Sequence, residues 1–240
     1  NATVPMCGAR LACSLPPILP YLPRCGKIAL PRLPGIFVWL IVMPNPEAAS
    51  CPHPRRVVIF FGMTASGKST LALAWADKLG VPYHNTDRVR KELVGIQATD
   101  RRPDGIGQGI YTAALSAQTY QEMLTRTEHD FAAGFSLVVL DGSYSRVADR
   151  DAVRAWARTM GAQACFFYCR CSPEVTRQRL ALRALDSTAV SDGRWEIYQY
   201  QLGSFELPDA VTEPDCVILS TEAAVAELLK QLAAQPCLQD

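Results

Sequence analysis

The sequence has little net charge, no paired cysteine spacing and no long apolar run. Formal charge is +1 over 240 residues. No basic field marks a phosphate backbone, and no acidic tail marks a basic partner. The nine cysteines are scattered, with no CxxC pair and an odd total, which excludes a small disulfide framework. The longest apolar run, Ile36 to Met43, is eight residues. A membrane helix needs about 20, so no span is expected. Internal repeats are missing too. No Asn-Lys-x-Asp element marks a guanine reader, which argues against a GTPase switch.

Proline, by contrast, is concentrated. Residues 1–50 hold nine of the 17 prolines and carry Arg10, Arg24, Lys27 and Arg32 against Glu47 alone. Such density removes backbone donors and stops helices and inner strands. Residues 1–54 therefore read as a Pro-rich, poorly ordered extension, and residues 55–240 as one folded domain. The stretch fits neither a signal peptide nor an amphipathic transit helix. Met43 stands just before the polar lead into the first strand, which suggests it as the natural start.

From Arg55 onward, short β-rich runs alternate with amphipathic stretches. Expected strands are 57–61, 81–84, 137–140, 164–169 and 216–219. Expected helices are 70–79, 88–93, 111–133, 147–160, 173–185, 195–206 and 221–234. The segment 95–109 reads as a Gly-rich loop. Strands without polar alternation, interleaved with helices, imply βαβ units around a parallel sheet covered on both faces. Cys165, Cys169 and Cys171 lie in or beside one of these strands, which favours buried thiols over a zinc site.

Between the first strand and first helix, Gly62-Met63-Thr64-Ala65-Ser66-Gly67-Lys68-Ser69 matches G-x-x-x-x-G-K-[ST]. In such a loop the glycines let successive amides turn inward on phosphate oxygens, and the helix start adds its positive end. Gly62, Thr64, Ala65, Ser66, Gly67, Lys68, Ser69 and Thr70 are the candidate nucleotide-binding residues. Lys68 would meet the β- and γ-phosphates, and the Ser69 hydroxyl would reach Mg²⁺. The chemistry expected is ATP with Mg²⁺.

Leu137 to Asp141 is an apolar strand ending in an acid, so Asp141 is the second metal candidate; capping the next segment is its alternative role. No Glu follows it, unlike motor ATPases. Asp87 follows the second strand, and strand ends in such sheets gather beside the phosphate loop. A carboxylate there could accept the proton of an attacking hydroxyl, or cap a helix, or both. Arg177, Arg179 and Arg183 fall on one helix, with Arg179 and Arg183 on a shared face as candidates to neutralise transferring phosphate, or as a solvated basic face.

The ordered set GMTASGKST, TDRVRKEL, GFSLVVLDGSYSRVADR, RQRLALR and SDGRWEIYQYQLGSFE resembles the P-loop kinases related to polynucleotide kinase, zeta toxins and chloramphenicol phosphotransferase. It is most similar to a bacterial kinase group that carries the label AAA family ATPase, over about Arg56 to Leu232. The resemblance implies a P-loop NTPase three-layer sandwich with a five-stranded parallel sheet in order 2-3-1-4-5. It implies ATP as donor, Asp87 as the acid at the acceptor hydroxyl, and Arg179 and Arg183 on a lid. Arg146 or Arg150 would touch substrate or product phosphate. The AAA label suggests rings, for which the sequence shows neither the extra Glu nor a helical subdomain.

Together these readings predict a cytoplasmic kinase acting on a small hydroxyl compound, with Asp87, Lys68, Arg179 and Arg183 as catalytic groups. A weakly hydrolytic ATP-binding module is the alternative. So is a polynucleotide 5′-hydroxyl kinase, against which the missing basic stripe counts.

Overall fold

The computed structural model describes residues 54–100, 104, 107–186 and 188–239. The readings made for residues 1–53, and for Arg101, Arg102 and Gly105, lie outside the described residues.

Five parallel strands form one sheet in the order β2-β3-β1-β4-β5. They are β1 (Arg55–Phe61), β2 (Tyr83–Asn85), β3 (Leu137–Gly142), β4 (Ala162–Arg170) and β5 (Cys216–Ser220). Seven helices connect and follow them: α1 (Lys68–Leu79), α2 (Thr86–Leu93), α3 (Ala113–Ala132), α4 (Val147–Thr159), α5 (Pro173–Leu185), α6 (Trp195–Ser204) and α7 (Val225–Ala233).

The central strand explains the three layers. Val57, Ile59 and Phe61 of β1 face one side and pack with Met123, Phe131 and Val153 of α3 and α4. Val58 and Phe60 face the other and pack with Leu71, Trp75, Leu228 and Leu232 of α1 and α7. Every one of these β1 side chains is inaccessible to solvent, which is why the strand shows no polar alternation. Phe60 stacks on Phe167 of β4 at 5.3 Å between ring centres, continuing the core across the sheet.

Three element boundaries differ from expectation, each for a local reason. The helix expected from Tyr111 begins at Ala113, because a 3₁₀ turn at Gly109–Tyr111 precedes it and Thr112 caps the Leu115 amide. The one expected from Thr221 begins at Val225. Thr221 instead continues the β-ladder, its N–H donating to Arg170 O at 2.9 Å. Asp87 does not open α2. Asn85 caps it, accepting the Arg88 N–H at 3.0 Å, and Asp87 sits inside the first turn.

Below the sheet's functional edge lies a buried charge cluster. Arg150 is fully buried and grips Glu213 through Nε and Nη2 while donating to the carbonyls of Tyr144 and Glu206. Arg154 adds a third contact to Glu213 at 2.9 Å. Arg150 is therefore committed to joining α4 to the chain before β5 and is not free to meet substrate, contrary to one expectation. Burial pushes the Glu213 carboxyl up, but bonds and charge from Arg150 and Arg154 outweigh it and hold it below its ordinary 4.5.

A depressed folded-state value means the stabilisation is present above the ordinary value and lost as pH falls through the folded one. Replacing Glu213 by Gln should cost about 3 to 5 kcal/mol, because it strands buried guanidinium charge. Urea unfolding at pH 7 would measure this, and the variant's stability should fall less steeply than the parent's below pH 4.5.

Candidate functional site

The loop between β1 and α1 is shaped by left-handed backbone at three positions. Gly62 has φ 146°, Gly67 has φ 84° and Ala65, without a glycine's freedom, has φ 57°. Gly67 is the N-cap of α1, and no side chain caps that helix and no acid lies in its first turn. The first-turn amides of α1 thus point outward unsatisfied, the arrangement that attracts an anion. Lys68 Nζ rests 3.4 Å from Met63 O, and the Ser66 hydroxyl is buried without a partner.

What holds this loop in place was not evident in the sequence. Thr221, just past β5, donates its hydroxyl to Ser66 O at 2.5 Å. Arg179 of α5 donates to Thr221 Oγ1 at 3.0 Å, to Thr221 O at 2.6 Å and to Ala65 O at 3.3 Å. Arg179 is therefore seated behind the loop, not carried on a free lid. A side chain at Gly67 would come within 2.8 Å of Thr221 Oγ1 and 2.9 Å of Arg179 Nη1. Arg179 and Arg183 share a pocket of about 300 Å³ with Ala65, Gly67, Thr70 and Leu228 on this side.

On the other side opens a cleft of about 410 Å³. Gly62, Thr64, Lys68 and Ser69 border it, and so do Asp87 and Arg90 of α2. The topology makes this meeting: β1 and β2 end on the same edge, so the phosphate loop and the start of α2 face each other. Arg90 ion-pairs with Asp87 at 2.9 Å and lies over the Tyr111 ring at 5.0 Å. Arg146 also reaches the cleft rim, paired with Asp149 at 2.7 Å.

Asp141 stands at the end of β3, opposite Phe60 of β1 and Asn85 of β2. It is fully buried. One carboxylate oxygen accepts from Tyr83 Oη at 2.7 Å and Asn85 Nδ2 at 2.5 Å, and the other has no partner. Burial, then the Asp141 charge, pushes the Tyr83 hydroxyl up, so it stays a donor. An orphaned carboxylate oxygen beside a phosphate loop fits a hydrated divalent cation.

The segment 188–204 crosses the cleft and was read only as a loop and helix. Gln201 of α6 accepts the Thr64 N–H at 2.7 Å. Gly193 lies so close that a Cβ there would collide with Thr64 Oγ1. Lys91 of α2, fully buried, donates to Val190 O at 2.7 Å and Ala98 O at 3.1 Å, and pairs with Asp192 at 3.3 Å. Tyr111 Oη donates to Asp192 at 2.6 Å. The spacing from Asp87 to Arg90 and Lys91 on one short helix was the available signal for these roles. The contacts of Gln201 and Gly193 had none.

The cysteines are not gathered for metal. Cys165 and Cys169 lie in the core cluster under α1, and Cys171 meets Thr176 Oγ1 at 3.2 Å. Burial pushes the Cys169 thiol up.

A family model described as an AAA domain, AAA_33, matches residues 57–208. The chain belongs to this AAA-domain family. Uncharacterized proteins of Mycobacterium tuberculosis and Mycobacterium bovis are 30% identical to this AAA-domain chain over 129 residues, 54% of it and 26% of theirs. The chain thus spans about a quarter of the length of the curated relatives it matches. Among solved structures, a sugar kinase from Janibacter sp. HTCC2649 shares 19% identity and a TM-score of 0.52, over 75% of this chain and 93% of that one. The Mycobacterium tuberculosis APS kinase CysC, solved with AMPPNP and APS, shares 18% and 0.52, over 75% and 95%. The AAA-domain chain therefore has the P-loop kinase fold, with the strand order that the sequence led us to expect.

Thr221 carries a specific expectation. Thr221→Val leaves Ser66 O and Arg179 without their hydroxyl partner, so it should destabilise the protein by about 1 to 3 kcal/mol. It should also weaken Mg-ATP binding at least tenfold. Urea unfolding and titration calorimetry would check both.

Proposed function

We propose that this protein is an ATP-dependent phosphotransferase that moves the γ-phosphate to a hydroxyl of a small molecule. One observation carries the reading: Asp87 opens onto the same cleft as Lys68 and Ser69 of the phosphate loop. A carboxylate facing a phosphate-binding lysine across a cleft is an arrangement suited to activating a hydroxyl for attack.

In this reading the amides from Gly62 to Thr70 cradle the phosphates, with Thr64, Ala65, Ser66 and Gly67 forming the turn. Lys68 neutralises charge on the β- and γ-oxygens. Arg179 and Arg183, in the pocket behind the loop, lie on the nucleotide side, where Arg179 also fixes the loop's shape. Ser69 and the unpaired oxygen of Asp141 would hold Mg²⁺, directly or through water; the ion would supply positive charge at the β- and γ-phosphates.

Asp87 accepts the proton of the acceptor hydroxyl. Arg90 keeps that carboxylate ionised and oriented, a role that the sequence alone did not suggest. Segment 188–204 excludes water over the acceptor, which matters because an exposed γ-phosphate would be lost to hydrolysis. Catalysis is then positioning plus charge neutralisation. Residues 55–240 serve as the kinase domain. The isolated thiols of the described cysteines and the absence, among the described residues, of a helix long and apolar enough to cross a membrane support the proposed cytoplasmic setting.

Asp87→Asn tests the assignment. Mg-ATP affinity should stay within about threefold, while phosphate transfer falls at least a hundredfold, as removal of a general base does. Calorimetry gives the first and a metabolite-library assay with labelled ATP the second. Full turnover by the variant would remove Asp87 from this role. ATP bound without transfer to any acceptor would favour a non-catalytic binding module.

A further inference from the structure

The charge pattern of the cleft restricts the acceptor further; this inference rests on the phosphotransferase reading. Lys68 belongs to the nucleotide. On the acceptor side the described cations are already matched with acids. Arg90 is paired with Asp87 at 2.9 Å, Arg146 with Asp149 at 2.7 Å, and Lys91 with Asp192 at 3.3 Å. Asp192 also takes the Tyr111 hydroxyl, and Asp104 caps the Ile110 amide at 3.1 Å.

An acceptor bearing a carboxylate or phosphate would have to draw a guanidinium from its acid. Taking Arg90 would leave Asp87 uncompensated in a largely buried site, since the Arg90 side chain is only 7% exposed. Separating such a pair strands a charge. Taking Arg146 would leave Asp149 facing the incoming anion. The cleft therefore repels anions more than it attracts them.

Hydroxyl groups are plentiful instead. Ser143 and Ser145 both line the cleft because the residue between them, Tyr144, is buried in a left-handed conformation with φ 40°. That conformation is uncommon for a tyrosine and persists only where surroundings enforce it. Here Tyr144 N–H donates to Tyr120 Oη at 3.1 Å, its carbonyl accepts from Arg150 at 2.8 Å, and its ring stacks on Tyr120 at 4.6 Å. Ser116 and Ser204 add hydroxyls from α3 and α6, and Ile197 adds an apolar face.

We propose that the acceptor is an uncharged, sugar-sized polyhydroxyl compound, held by serine hydroxyls instead of a cation. The 2- to 3-donor pattern of hydroxyls matches neighbouring alcohols, each of which donates and accepts, and the volume of about 410 Å³ leaves room for one such ring beside the terminal phosphate.

The test uses the full chain with Mg-ATP and a matched series: glucose, gluconate, glucose 6-phosphate and glucosamine, with a neutral pentitol and a nucleoside against its monophosphate. Product mass and kcat/KM are read. The neutral member of a series should exceed its anionic partner at least tenfold. Equal or greater transfer to an anionic member would overturn the inference while leaving the kinase reading intact. If ATP binds by calorimetry but nothing in the whole series is phosphorylated, the kinase reading fails and this inference with it.

A variant probes the cause. Asp149→Asn releases Arg146 and should shift the anion-to-neutral ratio of kcat/KM at least fivefold toward the anion, mainly through KM. A ratio unchanged in a variant that melts like the parent would overturn the argument from charge matching.

Discussion

The site depends on a backbone constraint: a β-strand must turn into a helix within six residues while leaving its amides unused. Gly67 makes this sterically feasible, since its left-handed geometry and the crowding by Thr221 and Arg179 exclude a side chain. The loop is therefore not a flexible glycine stretch. It is braced from behind by groups from β5's exit and from α5, which come from residues more than a hundred positions downstream. Bracing of this kind places the reorganisation cost in folding, before any ligand arrives, which is the condition for effective electrostatic stabilisation.

The parallel sheet then does the rest of the gathering. β1, β2 and β3 end along one edge, so the phosphate loop, the first turn of α2 and Asp141 converge without any long-range design beyond strand order. Each acid in this group has a distinct environment. Asp87 is half-open and held by Arg90. Asp141 is sealed, bonded by two neutral donors on one side and unpaired on the other. Two carboxylates in the same region can thus divide the work between proton transfer and cation binding.

Much of the fold was legible in the sequence because continuous apolar strands and glycine stops are local signals. The phosphate loop was legible for the same reason: eight contiguous residues carry it. Helix α5 was readable from Ser172-Pro173-Glu174, and Ser172 does cap the Val175 amide. What sequence could not show were contacts made across the chain. Thr221 looked like the start of a helix because nothing local reveals that its hydroxyl reaches Ser66. Arg150 looked available because its partner Glu213 lies 63 residues away. Gln201 and Gly193 looked ordinary because their role exists only once α6 lies over Thr64. Asp87 seemed a plausible cap until Asn85, two residues earlier, was seen to take that position.

Lys91 has a kinetic corollary. Its ammonium is withdrawn from water and clasped by carbonyls of two separate stretches, one of which roofs the cleft. Any outward swing of that roof must re-wet the ammonium and sever Val190 in the same stroke. Departure of a finished molecule is then slower than its making, and the tempo of the cycle is set on α2, one helical turn from Asp87.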